Sequence, residues 1–171
     1  MRRWLGPTAT WRTAEREMKM RVIDGLEALD ALAGSVLGTS AWIRVTPAMV
    51  RAFSDVTGDH QWIHLDSDRA KRELPGGRPI VQGLLTLSLI VRFRNEIAEV
   101  RGVRRVINYG LNRVRFPAPV PVGTRVRGTH KLLATERLGT GSLRITTLMT
   151  VEAEGVEKPA CVAESVSLLY A

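Results

Sequence analysis

A chain of 171 residues, 44% apolar and 25% charged, is long enough for one domain with a buried core. No apolar run reaches the roughly 18–20 residues that span a bilayer; the longest, Gly83 to Val91, runs straight into Arg92 and Arg94. The net charge of +8 comes from arginines scattered in ones and twos. No Lys/Arg tract, RNA-binding aromatic signature or helix-turn-helix pattern accompanies them, so a solvated basic surface is expected rather than a nucleic-acid interface.

The lone cysteine, Cys161, excludes an intrachain disulfide framework and a cysteine-based zinc cluster. The N-terminus carries arginines but no apolar core or small-residue cleavage site, so a cytoplasmic protein is expected.

Residues 1–17 show no repeating apolar stripe and are expected to be a flexible extension, leaving 18–171 as a single domain. From Ile23 the spacing of Leu26, Leu29 and Leu32 predicts a helix that Gly34 ends. Trp42 to Val45 alternates as a short strand. Thr46-Pro47 then supplies a capping side chain and a proline for the first helical turn. Val50, Phe53 and Val56 or Thr57 are the expected buried stripe of that helix, and Gly58 its stop.

A polar loop, TGDHQWIHLD, follows, and Asp66 is placed to cap a short helix through Lys71 before the LPGGRP turn. Val81 to Ile97 is apolar nearly all round as far as Phe93, the character of a helix surrounded by protein.

Beyond it the period becomes two. The apolar face of Val106–Phe116 switches near Asn112, which predicts a bulge. Val126, Gly128, His130, Leu132 and Ala134 form one face of the next strand, with Arg125, Arg127, Thr129 and Lys131 on the other. Leu143 to Val151 alternates again after Gly139-Thr140-Gly141, and Ala160 to Tyr170 is the last strand. One buried helix followed by about four long antiparallel strands predicts an α+β fold, a curved sheet wrapped around the helix.

The loop holds two histidines and an aspartate. Asp59 and His64, five residues apart, are a carboxylate and an imidazole that can share one water, each holding it while protons move. Taken alone, the pair is equally a turn aspartate and a half-buried histidine. The capped helix before it and the Gly-Gly turn and buried helix after it favour catalysis. Backbone N–H groups near Gly83, with Gln82 and Gln61 beside the site, would bind substrate and steady developing negative charge. His60 is read as a loop residue, while His130 and Cys161 are read as core. The three histidines lack metal-ligand spacing, so no metal is expected.

The segment FSDVTGDHQWIHLDSDRAKRELPGGRPIVQGLLTLSL from Phe53, together with INYGLNRVRFPAPVPVGTRVRG from Ile107, resembles the MaoC-like dehydratase and (R)-specific enoyl-CoA hydratase family, in its NodN-like branch. Asp59 and His64 fall on that family's catalytic positions and Gly83 on its helix glycine, while Gln82 stands where the family has histidine. The resemblance implies a hot-dog fold and reversible hydration of a trans-2-enoyl-CoA to an (R)-3-hydroxyacyl-CoA. It also implies no cofactor beyond the CoA of the substrate, and a homodimer. Arg113, Arg115, Arg125 and Arg127 are candidates for holding CoA phosphates. Two other readings remain open: a hot-dog acyl-CoA thioesterase, and a non-catalytic acyl-CoA-binding protein suggested by Gln82.

Overall fold

The computed structural model describes residues 20–171, so the expectation for residues 1–17 lies outside the described residues. The main sheet is antiparallel and is built on four long strands, β5 (Arg105–Arg115), β6 (Arg125–Gly139), β7 (Ser142–Ala153) and β8 (Cys161–Tyr170). Its order is β2-β6-β7-β8-β5, where β2 is Val36–Thr39, and the short β3 (Ile43–Arg44) also pairs with β6. Strict alternation along Leu143–Val151 is realised: Leu143, Ile145, Thr147, Met149 and Val151 all point into the core.

Against this face lies the central helix, α5 (Gly83–Ser88) and α6 (Ile90–Ile97). The two run on through Leu89, whose N–H donates to the Leu85 carbonyl and whose carbonyl accepts from Phe93 N–H. Phe93 is fully buried over Gly128, where a Cβ would lie 2.8 Å from its ring and 2.9 Å from Met149 Sδ. Glycine at 128 therefore sets how closely helix and sheet approach. This is the α+β, helix-in-curved-sheet architecture expected from the order of elements. No helix among the described residues is long and apolar enough to cross a membrane.

Several local expectations are corrected. Ile23 does not begin a helix. It lies in β1 (Arg21–Asp24), which pairs in parallel with β4 (Ala98–Arg101) just after the central helix. Only Gly25–Asp30 forms helix α1. The β-branched Val22-Ile23 pair finds a strand partner nearly 80 residues away, which local spacing does not reveal.

Helix α2 (Pro47–Thr57) has the expected caps: the Thr46 side chain accepts from Met49 N–H, and Gly58 adopts the left-handed conformation at φ 75°. Its buried positions are Val50 and Ser54, however, and Val56 is 81% exposed. The central helix starts at Gly83 rather than Val81, whose N–H donates instead to the Val120 carbonyl. Leu84 and Val91 stand exposed on it, so it is not apolar-packed all round.

In β6 the buried face runs Val126, Gly128, His130, Leu132, and Ala134 is exposed. A register shift between Leu132 and Ala134 turns the strand over. The bulge foreseen in β5 is present between Leu111 and Arg113, with another between Asn108 and Gly110.

Candidate active site

Asp59 and His64 are brought together by two short helices and a tie to a distant strand. Gly58 caps α2 through its N–H to the Ser54 carbonyl and turns the chain so that Asp59 follows directly. The Asp59 N–H reaches Thr57 Oγ1 at 3.4 Å, and Asp59 Oδ1 lies 3.5 Å from the Gln61 N–H. Helix α3 (Trp62–Leu65) then carries His64 inward, its N–H on the Gln61 carbonyl. Helix α4 (Ser67–Glu73) starts on the Asp66 side chain, as expected, and runs two residues past Lys71. The Ile80 N–H donates to the Ile63 carbonyl, and Val122 N–H to the Pro79 carbonyl, so the loop is stitched to the strand-like segment that precedes the central helix.

That stitch fixes the imidazole. His64 is 8% exposed, and its Nδ1 lies 2.6 Å from the Ile80 carbonyl oxygen. A carbonyl only accepts, so Nδ1 carries a hydrogen and the neutral ring offers its lone pair at Nε2. Nε2 lies 3.7 Å from Asp59 Oδ2, too long for a good direct hydrogen bond. Asp59 is 38% exposed, so the pair has a solvent-facing side and a buried side. Spacing alone did not point to Ile80, because its contribution is a backbone carbonyl sixteen residues away.

Gln82 and Gly83 stand at the entry of the central helix, as its cap and its first residue. Gln82 is 2% exposed, and its Nε2 donates to Ser54 Oγ at 2.8 Å and to the Val50 carbonyl at 3.3 Å. It thus ties the central helix to α2, the helix that delivers Asp59. Its Oε1 is buried without a hydrogen-bond partner among the described residues. Ser54 was missed in the sequence because a serine hides in an apolar stripe. Its place four residues after Val50 was the available signal.

At Gly83, a Cβ would meet the Phe116 ring at 3.1 Å. What lies against this glycine is therefore an aromatic plate from the end of β5. The first intrahelical bond of the helix is given by Thr86 N–H to the Gln82 carbonyl, and the N–H groups of the preceding turn lie beyond that ladder. Gln61 is exposed, with its carbonyl accepting from His64 N–H, and His60 is exposed in the loop. His130 and Cys161 are buried, and burial pushes the Cys161 thiol up to about 12.

The basic residues sort differently from their order in the sequence. Arg125 and Arg127 pair with Glu154 and Glu152 and stack over Trp42. Arg51, Lys71 and Arg78 instead line a cleft of about 340 Å³ that includes His64. Lys71 makes an exposed ion pair with Asp68. A second, more apolar cleft lies further along the central helix, between it and the sheet. Among the described residues, no three His, Cys, Asp or Glu side chains cluster as a metal site.

The comparisons fit this geometry. Residues 29–153 match the MaoC like domain family. The 3-hydroxyacyl-thioester dehydratase Z of Mycobacterium tuberculosis is 50% identical over 147 residues, covering 86% of this chain and 97% of that protein. Nodulation protein N of Rhizobium meliloti is 41% identical over 145 residues, 84% of this chain and 89% of its own length, in line with the branch that the Ile107 segment resembles. The solved (R)-hydratase from A. caviae involved in PHA biosynthesis has a TM-score of 0.59 at 27% identity, covering 76% of this chain and 93% of that one. A sheet curved around one helix, a family match across most of the domain and a relative sharing half its residues all agree, and the chain belongs to the MaoC-like dehydratase family.

Proposed function

We propose that this chain is a hydro-lyase that interconverts a 3-hydroxyacyl thioester and its trans-2-enoyl thioester, with Asp59 and His64 holding the water. The observation that carries this reading is the pinned imidazole, with Nδ1 on the Ile80 carbonyl and Nε2 facing Asp59 Oδ2 at 3.7 Å. A water about 2.8 Å from each atom completes a triangle on that base. In hydration, its oxygen attacks the β-carbon while the pair takes up one of its protons and a proton is delivered to the α-carbon. Dehydration runs the same steps in reverse. Negative charge gathers on the thioester oxygen during attack, and N–H groups of the first turn of the central helix are its proposed donors.

The 50% identity to a 3-hydroxyacyl-thioester dehydratase supports this substrate class, and the likeness to an (R)-hydratase supports (R) configuration at the β-carbon. Arg51 and Arg78, beside His64, are the proposed seats for phosphates of the thioester's carrier, CoA in the first instance. The proposed assembly is a homodimer. Strand β5 ends the sheet, and Val106, Ile107 and Tyr109 stand exposed on it. An open apolar edge of that length favours pairing with a second copy. Sedimentation showing only an 18.9 kDa species at micromolar concentration would rule the dimer out.

The activity is tested with crotonyl-CoA, following loss of the conjugated-enoyl absorbance and, separately, release of free thiol. Absorbance loss without thiol is the expected result. Thiol release would make the protein a thioesterase, and binding with neither change would make it a non-catalytic binder. Asp59→Asn and His64→Gln should each lower kcat by about 10²–10⁴. The double variant should be hardly worse than either alone, because the two groups act on one water. Full activity in either single variant would overturn their assignment.

A further inference from the structure

The central helix carries a second chemical message on the face that descends from Gly83. Leu87, Val91 and Arg94 follow Gly83 at spacings of four, four and three residues, so all four lie on one stripe. Leu87, Val91 and Arg94 line the apolar cleft of about 340 Å³ between helix and sheet, with Leu111, Met149 and His130 facing them. An apolar channel of this kind ordinarily ends in apolar residues. This one carries a cation and an imidazole in its lining, where it adjoins a second cleft that the same two residues also line.

Arg94 is partly buried, and its neighbours are neutral: Asn108 Oδ1 and Ser167 Oγ accept from it, both at a long 3.4 Å. Among the described residues no carboxylate lies within ion-pair distance of it, and Glu96 of the same helix pairs with Arg92 instead. Burial alone lowers its pKa, the mark of a cation without a counter-ion. His130, from β6, is 3% exposed, and neither of its ring nitrogens has a hydrogen-bond partner in the structure. Unpaired buried polar groups are uncommon and costly. Here a fork of guanidinium donors and an unpaired imidazole line the same cleft.

We propose that this cleft receives an acyl chain that ends in a carboxylate, with Arg94 as its counter-ion and His130 as a hydrogen-bonding partner. The proposal rests on the reading above that the chain binds acyl thioesters, and it specifies which ones. A carboxylate matches the planar fork of Arg94 with two oxygens. It also accepts from an N–H of His130, whose neutral ring keeps one such donor. A methyl terminus would leave both groups desolvated and unpaired, and a site built to pair a polar group discriminates against the analogue that lacks it.

The length is set by the helix. Gly83 to Arg94 spans about 16 Å at about 1.5 Å per residue, and the arginine leans back towards the helix N-terminus. Once the reach of the arginine side chain is taken off that span, an extended chain of about eight carbons fits what remains.

The test compares two saturated thioesters, octanoyl-CoA and its ω-carboxylated counterpart, by calorimetric titration of the full chain. Neither can be hydrated, so binding is read independently of turnover. Wild-type protein should bind the ω-carboxylate at least about tenfold more tightly. Arg94→Met, which keeps an apolar stem of similar length, should remove that preference and bind octanoyl-CoA as well as or better than wild type. Arg94→Lys, which keeps the charge but not the fork, should restore part of it. Equal affinities in wild type, or a preference untouched by Arg94→Met, would overturn the carboxylate site. If crotonyl-CoA is still hydrated in that case, only this inference falls. If crotonyl-CoA is not turned over and neither octanoyl probe binds, the acyl-thioester reading falls with it.

Discussion

His130 makes a prediction whose size follows from its surroundings. Burial first, and the charge of Arg94 second, lower its pKa from 6.5 to about 4. The folded state therefore resists protonation that the unfolded chain accepts freely. As pH falls through 6.5 the unfolded state takes up the proton and gains stability, and this continues until the folded imidazole also titrates near 4. The folded protein thus loses stability between these values. The loss is about 2 kcal/mol at pH 5 relative to pH 7 and levels off near about 3 kcal/mol below pH 4. For a domain of this size, 2 kcal/mol corresponds to about 4–8 °C in Tm.

His130→Leu isolates the effect from the carboxylates, which titrate alike in both proteins. Since neither ring nitrogen has a partner in the structure, leucine forfeits no hydrogen bond at pH 7. Thermal and urea unfolding of both proteins from pH 8 to pH 4.5 should give curves that run parallel at high pH and diverge below about pH 6.5, with the variant gaining on wild type by about 2 kcal/mol at pH 5. Parallel curves across the whole range would mean that His130 is charged or solvated in the folded state, and the reasoning from burial would be wrong.

Gln82→His should change turnover by less than about tenfold, about 1.4 kcal/mol in barrier, because an imidazole there can still donate to Ser54. A gain of several hundredfold in initial rate would instead identify position 82 as a proton-transfer site. Gln82→Leu should lower unfolding stability by about 1–3 kcal/mol in urea titration, through loss of the ties to Ser54 and Val50. Gly128→Ala should cost about 1–3 kcal/mol, since its Cβ would intrude on Phe93 and Met149, and an unchanged Tm would show that the helix has slack above the sheet. Thr46→Ala should cost about 1 kcal/mol through loss of the cap on Met49 N–H, and it should leave the KM for crotonyl-CoA unchanged.

Much of this protein is written locally. The caps of α2 at Thr46 and Gly58, the cap of α4 at Asp66, and the period-two run of β7 rest on neighbouring residues, and all are found where local chemistry puts them. Asp59 and His64 were legible because they share one loop, five residues apart, and a loop can bring such neighbours together. Other features depend on partners that sequence distance conceals. Val22-Ile23 become a strand only because Ala98–Val100 lies beside them. The inward turn of Ser54 and Gln82 is one contact made across 28 residues. The tautomer of His64 is chosen by the carbonyl of Ile80, a group that every residue carries and that only a fold can aim. Arg94 and His130 lie 36 positions apart on a helix and a strand, each unremarkable in its own segment. The packing of that helix on that sheet buries His130 and partly buries Arg94 with no counter-ion among the described residues, and so gives the cleft its polar lining.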